Sequence, residues 1–452
     1  MLKDTFRGGV HPKEWKELSR EMPLRVYDAK GDMVYLLGQH IGKPSKPIVK
    51  KNDPVLVGQI IAEADGFVSA NIASSCSGTV KAIEKRRTVS GAMLECIVVE
   101  NDGEYKTVEG FGAKSELSSL DNNEIIQRVA DAGIIGLGGA GFPTHVKLRP
   151  KDPDGIKYLI INGAECEPYL TCNDQLMRSH AAEIVEGIEV LLKLFANADA
   201  YIGIEDNKPE AIASMEKACA GKDKIKVLKL KTKYPQGGER SLIQVVAGVD
   251  YPAAQLPADI GCLVDNVGTV YAIRNAVLYN EPLVSHVMTI TGDAVASPCN
   301  LIVREGTNFA ELLEEAGGIK EGTPGKKALA GGPMMGIALS SFDVPVQKNN
   351  NALTIMSFDE NDKAEAEMTS CLRCGRCTTV CPMGLQPQMM MAAIDAGDME
   401  RYENKLYGLE CVSCGCCTFT CPARRPLTQE FKRMKAEILA ARIAKKAEGG
   451  NK

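Results

Sequence analysis

The chain has 452 residues, enough for about three domains, and its 44% hydrophobic and 25% charged content is ordinary for a water-soluble globular protein. A formal net charge of −5 offers no global attraction to nucleic acid or to an anionic surface. No segment supplies the ~18–20 uninterrupted apolar residues that span a bilayer, and the opening MLKDTFRGGVHPKEW lacks the apolar core of a signal peptide, so the sequence predicts a cytosolic protein whose link to any membrane runs through a partner.

In chain order, residues from about 33 to 100 alternate in the β manner through MVYLLGQHIG, PIVKKNDPVLVGQIIAEAD, GFVSANIASSCSGTVKAIE and MLECIVVEND. Turn signals at Asn52-Asp53-Pro54 and Ser77-Gly78 divide them into short strands. This pattern resembles the barrel-sandwich hybrid of biotinyl and lipoyl domains, which carry a lysine at a hairpin tip. Here the expected tip, EADGFVSA, has none, so a rigid structural module is expected. From Asn122 the period changes. DNNEIIQRVADAG places Ile125, Ile126, Val129 and Ala130 on one helical face. KYLIING reads as a buried strand, DQLMRSHAAEIVEGIEVLLKLF as one long helix, DAYIGIE as a strand, KPEAIASMEKACA as a helix and KIKVLKLK as a strand. Such alternation predicts a parallel sheet covered on both faces.

From about Pro282 to Gly318, VMTITGDAVASPCNLIVREGTNFAELLEEAGG leads from strands into a helix ending at two glycines, similar to a small β-grasp module. KALAGGPMMG and VQKNNNAL follow as a loop-rich passage, and FDENDKAEAEM leads into a cysteine-rich segment. In that segment Cys371, Cys374, Cys377 and Cys381 follow C-x2-C-x2-C-x3-C-P, and Cys411, Cys414, Cys417 and Cys421 repeat it, with Pro382 and Pro422 in matching places. More than half of the 16 cysteines fall here, and reducing compartments disfavour structural disulfides, so the thiols are expected to hold metal. The spacing is that of bacterial two-cluster ferredoxins, in which the last cysteine of each run serves the other run's cluster. One [4Fe–4S] cluster is therefore assigned to Cys371, Cys374, Cys377 and Cys421, the other to Cys411, Cys414, Cys417 and Cys381. Zinc, which also takes C-x2-C pairs, accounts for neither the third cysteine nor the duplication. Cys416 breaks the spacing and reads as a packed neighbour. Between the runs, PQMMMAAIDAG reads as a helix stopped by Gly397, its methionines in the core, and DMERYENKLYGL as a second helix. LTQEFKRMKAEILAARIAKKAEGGNK closes the chain as a basic amphipathic helix with a frayed tail.

Four polar loops remain. GIIGLGGAGFPTHVKL holds Gly136, Gly138 and Gly139 but follows a helix rather than a strand, so it is no ordinary dinucleotide fingerprint. INGAECEPYLTCND puts Asn162, Glu165 and Glu167 at a strand's C-terminal end, where open α/β sheets bind ligands. YPQGGERSLI offers Gly237, Gly238 and Glu239, and LVDNVGTVYAI offers Asp265, Asn266 and Thr269. Composition leaves two readings of these loops open: a flavin-plus-nucleotide cleft, or polar loops over a core.

The motifs GLGGAGFPTHVK, NGAECEP, GGERSLI and DNVGT occur in the order and character of the FMN- and NADH-binding flavoprotein subunit of respiratory complex I. With FRGGVHPKE, GQHIGKPSKPIVKKNDPVLVGQ and the paired cysteine runs, nearly the whole chain resembles the RnfC family, the C subunits of Rnf complexes, which are membrane-bound ferredoxin:NAD oxidoreductases. The resemblance implies a multidomain α/β chain: a barrel-sandwich hybrid with an N-terminal extension (1–110), a Rossmann-like FMN/NADH domain (111–281), a β-grasp module with its following loop (282–350), and a helical two-cluster ferredoxin-type domain (351–452). It implies that Gly136, Gly138, Gly139 and Lys147 line FMN. Asn162, Glu165 and Glu239, beside Gly237 and Gly238, would hold its ring and ribityl chain, and Asp265, Asn266 and Thr269 its phosphate end. Glu165 would also lie near the nicotinamide as the one catalytic side chain, and Phe142 would stack on the adenine of NAD(H). The sequence departs from the complex I pattern at Leu137 (arginine there), His145 (glycine there) and Pro150, near a second stacking aromatic, and the second cysteine run has no counterpart there. The implied activity is hydride exchange between NAD(H) and FMN, then one-electron relay through two clusters. The implied partners are the other Rnf subunits, with ferredoxin reached indirectly, at the cytoplasmic face of the membrane, ion pumping lying in the membrane subunits. Two alternatives stand beside it: a cobalamin reductase of similar build, and a zinc-bearing scaffold with a degenerate cleft.

Overall fold

The computed structural model describes residues 4–323, 327–357 and 367–449. The stretch FDENDKAEA and the final three residues, expected to be a linker and a frayed tail, lie outside them. The chain divides into two compact units: one from the described residues of Met1–Lys13, Lys231–Leu256 and Asp359–Lys452, the other from Glu14–Leu230 and Pro257–Phe358.

The larger unit contains a four-stranded, all-parallel sheet of Tyr158–Asn162, Asp199–Glu205, Ile225–Leu230 and Cys262–Asn266. Its spatial order is third, second, first, fourth in the chain, so the order reverses between Tyr158–Asn162 and Cys262–Asn266. Burial of Leu159, Ile160 and Ile161 contributes roughly 1.5–3 kcal/mol each. Helix Asn122–Asp131 starts at a reciprocal capping box between Asp121 and Glu124 and buries Ile125, Ile126 and Val129. The single long helix expected after the first strand is instead two, Cys172–Ser179 and Ala181–Leu194. The break falls at His180, whose ring packs on Tyr271 at 5.2 Å and whose Nδ1 lies 3.3 Å from Glu183. Helix Ala181–Leu194 packs on helix Val267–Tyr279 at Gly187, where an added Cβ would stand 2.4 Å from the Val270 carbonyl oxygen.

The hybrid module is two antiparallel sheets. One holds Met33–Leu36, Met93–Asn101, Gly78–Arg87 and Pro54–Val55, the other Lys46–Pro47, Ile60–Glu63 and Ile72–Ala73. Its core residues Met33, Ile61, Ile72, Val80 and Ile97 continue into Met288, Leu301, Val303, Phe309 and Leu353 of a six-stranded sheet and its helix. That sheet corrects two expected boundaries. It takes Leu24–Tyr27, parallel to Cys299–Arg304, from the N-terminal extension, and Ala352–Met356, parallel to Ser285–Thr291, from beyond residue 350. Both segments carry apolar residues and find their backbone partners on this sheet.

The smaller unit corrects the boundaries of the 111–281 domain. Lys231–Leu256 leaves the parallel sheet after its third strand and joins the cysteine-bearing segment. The Lys231 amide donates to the Asp4 carbonyl at 2.8 Å, and Arg240 pairs with Glu410 at 2.8 Å. Helix Pro387–Asp395 ends before Gly397 (φ +67°), and Met390 and Met391 are core against Phe431, Met434 and Ile438 of helix Leu427–Gly449. The expected second helix over 398–409 is present in shorter form, as a π-helix, Arg401–Lys405, followed by a short 3-10 turn, Gly408–Glu410. The buried Tyr402 ring occupies the space beside Gly408, where a Cβ would stand 2.1 Å from it.

Candidate functional site

The parallel sheet sets the first part of the site. In open α/β sheets the crevice for a ligand opens at the C-terminal ends of strands flanking the reversal in order, here Asn162 and Asn266. Asn266 caps helix Val267–Tyr279, its Oδ1 accepting from the Gly268 amide at 2.8 Å and its Nδ2 donating to the Asn162 carbonyl at 3.3 Å. One turn on, Thr269 Oγ1 accepts from the Leu137 amide at 2.9 Å, which draws the glycine loop to the same crevice. That loop is a hairpin closed by the Gly136 amide on the Phe142 carbonyl (2.8 Å) and the Thr144 amide on the Ile134 carbonyl (3.0 Å). Nothing lies within 4 Å of where a Gly139 Cβ would stand, and the nearest atoms to that of Gly138 are of the Asn266 and Asn351 side chains, 3.6–3.8 Å away. The cradle is therefore open to a flat ring or a phosphate at backbone distance. Leu137 is buried in the main core, which explains an apolar residue there. Lys147 Nζ donates to the Val264 carbonyl at 2.7 Å and to Asp265 Oδ1 at 2.9 Å, so its charge is held beside the strand end by a buried carboxylate.

Glu165, at φ +47°, turns its carboxylate onto the start of helix Cys172–Ser179, where it accepts from the amides of Asn173 (2.7 Å) and Asp174 (3.2 Å). Asp174 is buried behind it. Burial first, then the charge of Glu165, push its carboxyl up to about 6. Glu167 accepts from the Met334 and Met335 amides at 3.0 and 2.8 Å, which closes the GGPMMG loop over the strand end. Phe142 is half-buried at the foot of the glycine loop. His145 is half-buried beside it, its pKa lowered by burial and then by Arg149. Gly237, Gly238 and Glu239 belong to the smaller unit, where Glu239 accepts from the Tyr251 hydroxyl at 3.2 Å.

Three features of the larger unit were missed by sequence reasoning. Lys16 is fully buried, with its ammonium donating to the carbonyls of Glu165, Glu167 and Leu170 at 2.5–3.0 Å. Its pKa is lowered by burial and then by Lys208. Trp15 stacks on Tyr169 at 5.7 Å, tying the same segment to the same loop. The asparagine run after Lys348 also meets the glycine loop, Asn349 Nδ2 lying 3.4 Å from the Gly139 carbonyl. A cluster of three asparagines just before an apolar strand was the available signal.

In the smaller unit the cysteines ring two cavities. One is lined by Cys371, Cys374, Cys377 and Cys421 with Gln388, Met391 and Leu427. The second is lined by Cys381, Cys411, Cys414 and Cys417 with Met390 and Phe431, and by the fully buried Cys416. The spacing cysteines are thus shared three from one run and one from the other at each cavity, with Cys416 a fifth thiol at the second. Gly375 and Gly415, both left-handed (φ +74° and +87°), open the short helices that carry the third cysteine of each run.

A glycine-cradled crevice at a sheet's switch point, in a chain that also carries two cysteine-walled cavities, marks a class: flavin-domain proteins with a dicluster electron-transfer segment. Residues 129–275 match the Nuo51 FMN-binding domain, 4–104 the RnfC barrel sandwich hybrid domain, 287–338 the SLBB domain and 344–386 a 4Fe-4S dicluster domain. The C subunit of the proton-translocating ferredoxin:NAD(+) oxidoreductase complex of Clostridium ljungdahlii is 42% identical over 448 residues, 99% of this chain and 96% of that one. Its Na(+)-translocating counterpart from Acetobacterium woodii is 39% identical over 97% of this chain and 98% of that one. The C subunit of the ion-translocating oxidoreductase complex of Rhodobacter capsulatus is 40% identical over 88% and 76%. The chain belongs to the RnfC family, the C subunits of Rnf complexes. Among the described residues no helix is long and apolar enough to cross a membrane.

Proposed function

We propose that this chain is the NAD-linked electron-transfer subunit of an ion-translocating ferredoxin:NAD oxidoreductase, carrying FMN and two [4Fe–4S] clusters. It works with the other Rnf subunits, which hold it peripherally at the cytoplasmic face of the membrane, and it meets ferredoxin only through them. The observation that carries the reading is the pair of cavities, at each of which the spacing cysteines of one run meet the last cysteine of the other.

Gly136, Gly138 and Gly139, with Asn162, Asp265, Asn266 and Thr269, would hold FMN at the switch point. When bound there, FMN would supply the conversion between hydride, two electrons at once, and the single electrons that iron–sulfur clusters carry. The protein's own part is placement. The glycines let backbone N–H groups approach the ring, and Thr269 fixes the loop's height through the Leu137 amide. Lys147, steadied by Asp265, sets a positive charge at the strand end, which favours added negative charge nearby. Glu165, its carboxylate oriented by the Asn173 and Asp174 amides, would orient the nicotinamide, and Phe142 would stack on the adenine. Cys371, Cys374, Cys377 and Cys421 would hold one cluster, and Cys411, Cys414, Cys417 and Cys381 the other. Anaerobic titration with NADH tests the order of carriers. Flavin absorbance should bleach first and cluster absorbance follow. Flavin bleaching that leaves the clusters untouched breaks the relay.

A further inference from the structure

The hybrid module lacks the lysine arm of its relatives by fold, and its tip is built against the glycine loop. Two of its loops form a knot. Lys43 N donates to the Val68 carbonyl (3.0 Å), Ser69 Oγ to the Lys43 carbonyl (2.8 Å) and Ser45 Oγ to the Ala70 carbonyl (2.7 Å), and Lys43 pairs with Asp65 at 2.6 Å. The knot is fixed to the glycine loop directly: the Ile41 amide donates to the Gly141 carbonyl at 3.1 Å. Gly141 has φ +70°, and a Cβ there would stand 3.5 Å from the Gln39 carbonyl oxygen. Behind the junction the buried Lys348 donates to the Asn71 and Gly133 carbonyls at 2.7 Å each, and its amide donates to Gln39 Oε1 at 3.1 Å.

On this braced tip Phe67 is 74% exposed, the highest value among the large hydrophobic side chains of the described residues, and Ile41 is 46% exposed. Neither is needed by the module's own core, which Ile61, Ile72, Val80 and Ile97 fill. A planar apolar face held in place beside a nucleotide loop is suited to a base, because every base has a π-face and stacking needs no hydrogen-bond match. We propose that Phe67 forms a second apolar wall of the dinucleotide site and, with Phe142, receives the adenine ring of NAD(H). This rests on reading the glycine loop as the flavin and nucleotide cradle. It gives the hybrid module a part in substrate binding rather than in scaffolding alone.

The test uses the full chain with FMN and two probes. ADP-ribose carries the adenine without the nicotinamide, and reduced nicotinamide mononucleotide carries the nicotinamide without the adenine. By calorimetry, Phe67→Ala should weaken ADP-ribose binding about tenfold, a loss in the range of one base–aromatic stack, and Phe67→Tyr should restore it. The rate of flavin reduction by the mononucleotide should stay unchanged in both variants, and FMN content should match the parent chain. Unchanged ADP-ribose affinity in Phe67→Ala overturns the inference and leaves the exposed ring to a protein partner. Equal losses with both probes also overturn it, since the tip would then act by distorting the loop. Parent protein whose flavin NADH reduces but which does not bind ADP-ribose overturns the inference alone. Parent protein whose flavin NADH does not reduce overturns the functional reading as well.

Discussion

Lys16 sits inside the protein with its ammonium against three carbonyls of one loop, and that loop carries Glu165 at a left-handed backbone angle. A buried charge is tolerated only where hydrogen bonds replace water, so the lysine and the loop hold each other in shape. Lys16→Met keeps the bulk and removes the donors. It should weaken FMN binding roughly tenfold and cost on the order of 3 kcal/mol of stability, the range for stranding buried acceptors. Flavin fluorescence titration and chemical denaturation measure the two. None of this was legible locally: within HPKEWKELSR the residue reads as one more charged side chain in a polar stretch. Asn162, Asp265 and Thr269, by contrast, stood out because each lies at or just beyond the end of a strand that the apolar runs YLIIN and CLVDN announce.

At the scale of elements the cysteine runs were the most legible part of the chain, because cluster ligation imposes a spacing no other fold requirement imitates. The crossed arrangement makes a sharp prediction. Cys421→Ser lies in the second run but should remove the first run's cluster, so iron should fall from about eight to about four per chain. Its electron paramagnetic resonance spectrum should match that of Cys371→Ser and differ from that of Cys411→Ser. Helix Cys172–Ser179 carries a second prediction. Asp174 titrates near 6 when folded, above its ordinary value of 3.8, so the folded protein takes up its proton first. Its contribution to stability is therefore greatest below about pH 4 and is lost as pH rises through 6, a cost on the order of 3 kcal/mol at neutral pH. Asp174→Asn should stabilise the protein at pH 7 and flatten its stability profile between pH 4 and 6 in denaturant titrations. Helix boundaries were read less well. The break at His180 and the π-helical winding of Arg401–Lys405 go with Tyr271 packing and Tyr402 burial, which no local periodicity reports.

At the scale of the molecule, the order of modules was readable from the change of period near Asn122 and from the cysteine runs, but their edges were not. Leu24–Tyr27 becomes a sheet strand only through a partner hundreds of residues away, and Ala352–Met356 is held between Ser285–Thr291 and Lys327–Ala330. The hybrid module, the glycine-loop stem and the asparagine loop meet at Lys348, whose ammonium bridges Asn71 and Gly133. Burial lowers its pKa to about 8, with Glu305 opposing the shift. Lys348→Met should lower stability by about 2–3 kcal/mol at pH 7 through two stranded carbonyls. It should also raise hydrogen exchange at both Asn71–Ala73 and Gly133–Ile135, whereas a purely local role would loosen one.

The smaller unit draws on three stretches of the chain, and one of them, Lys231–Leu256, lies between the third and fourth strands of the parallel sheet. Such a unit cannot be lifted out by a single cut. Ending the chain at residue 357 would strand Tyr234 and Arg240 without the groups they bond, and a fragment beginning at 367 would leave Glu410 and Cys416 without Arg240, Ala253 and Tyr234. Dissecting the protein for separate study therefore calls for keeping Lys231–Leu256 with the cysteine-bearing segment, which a cut at one place cannot do.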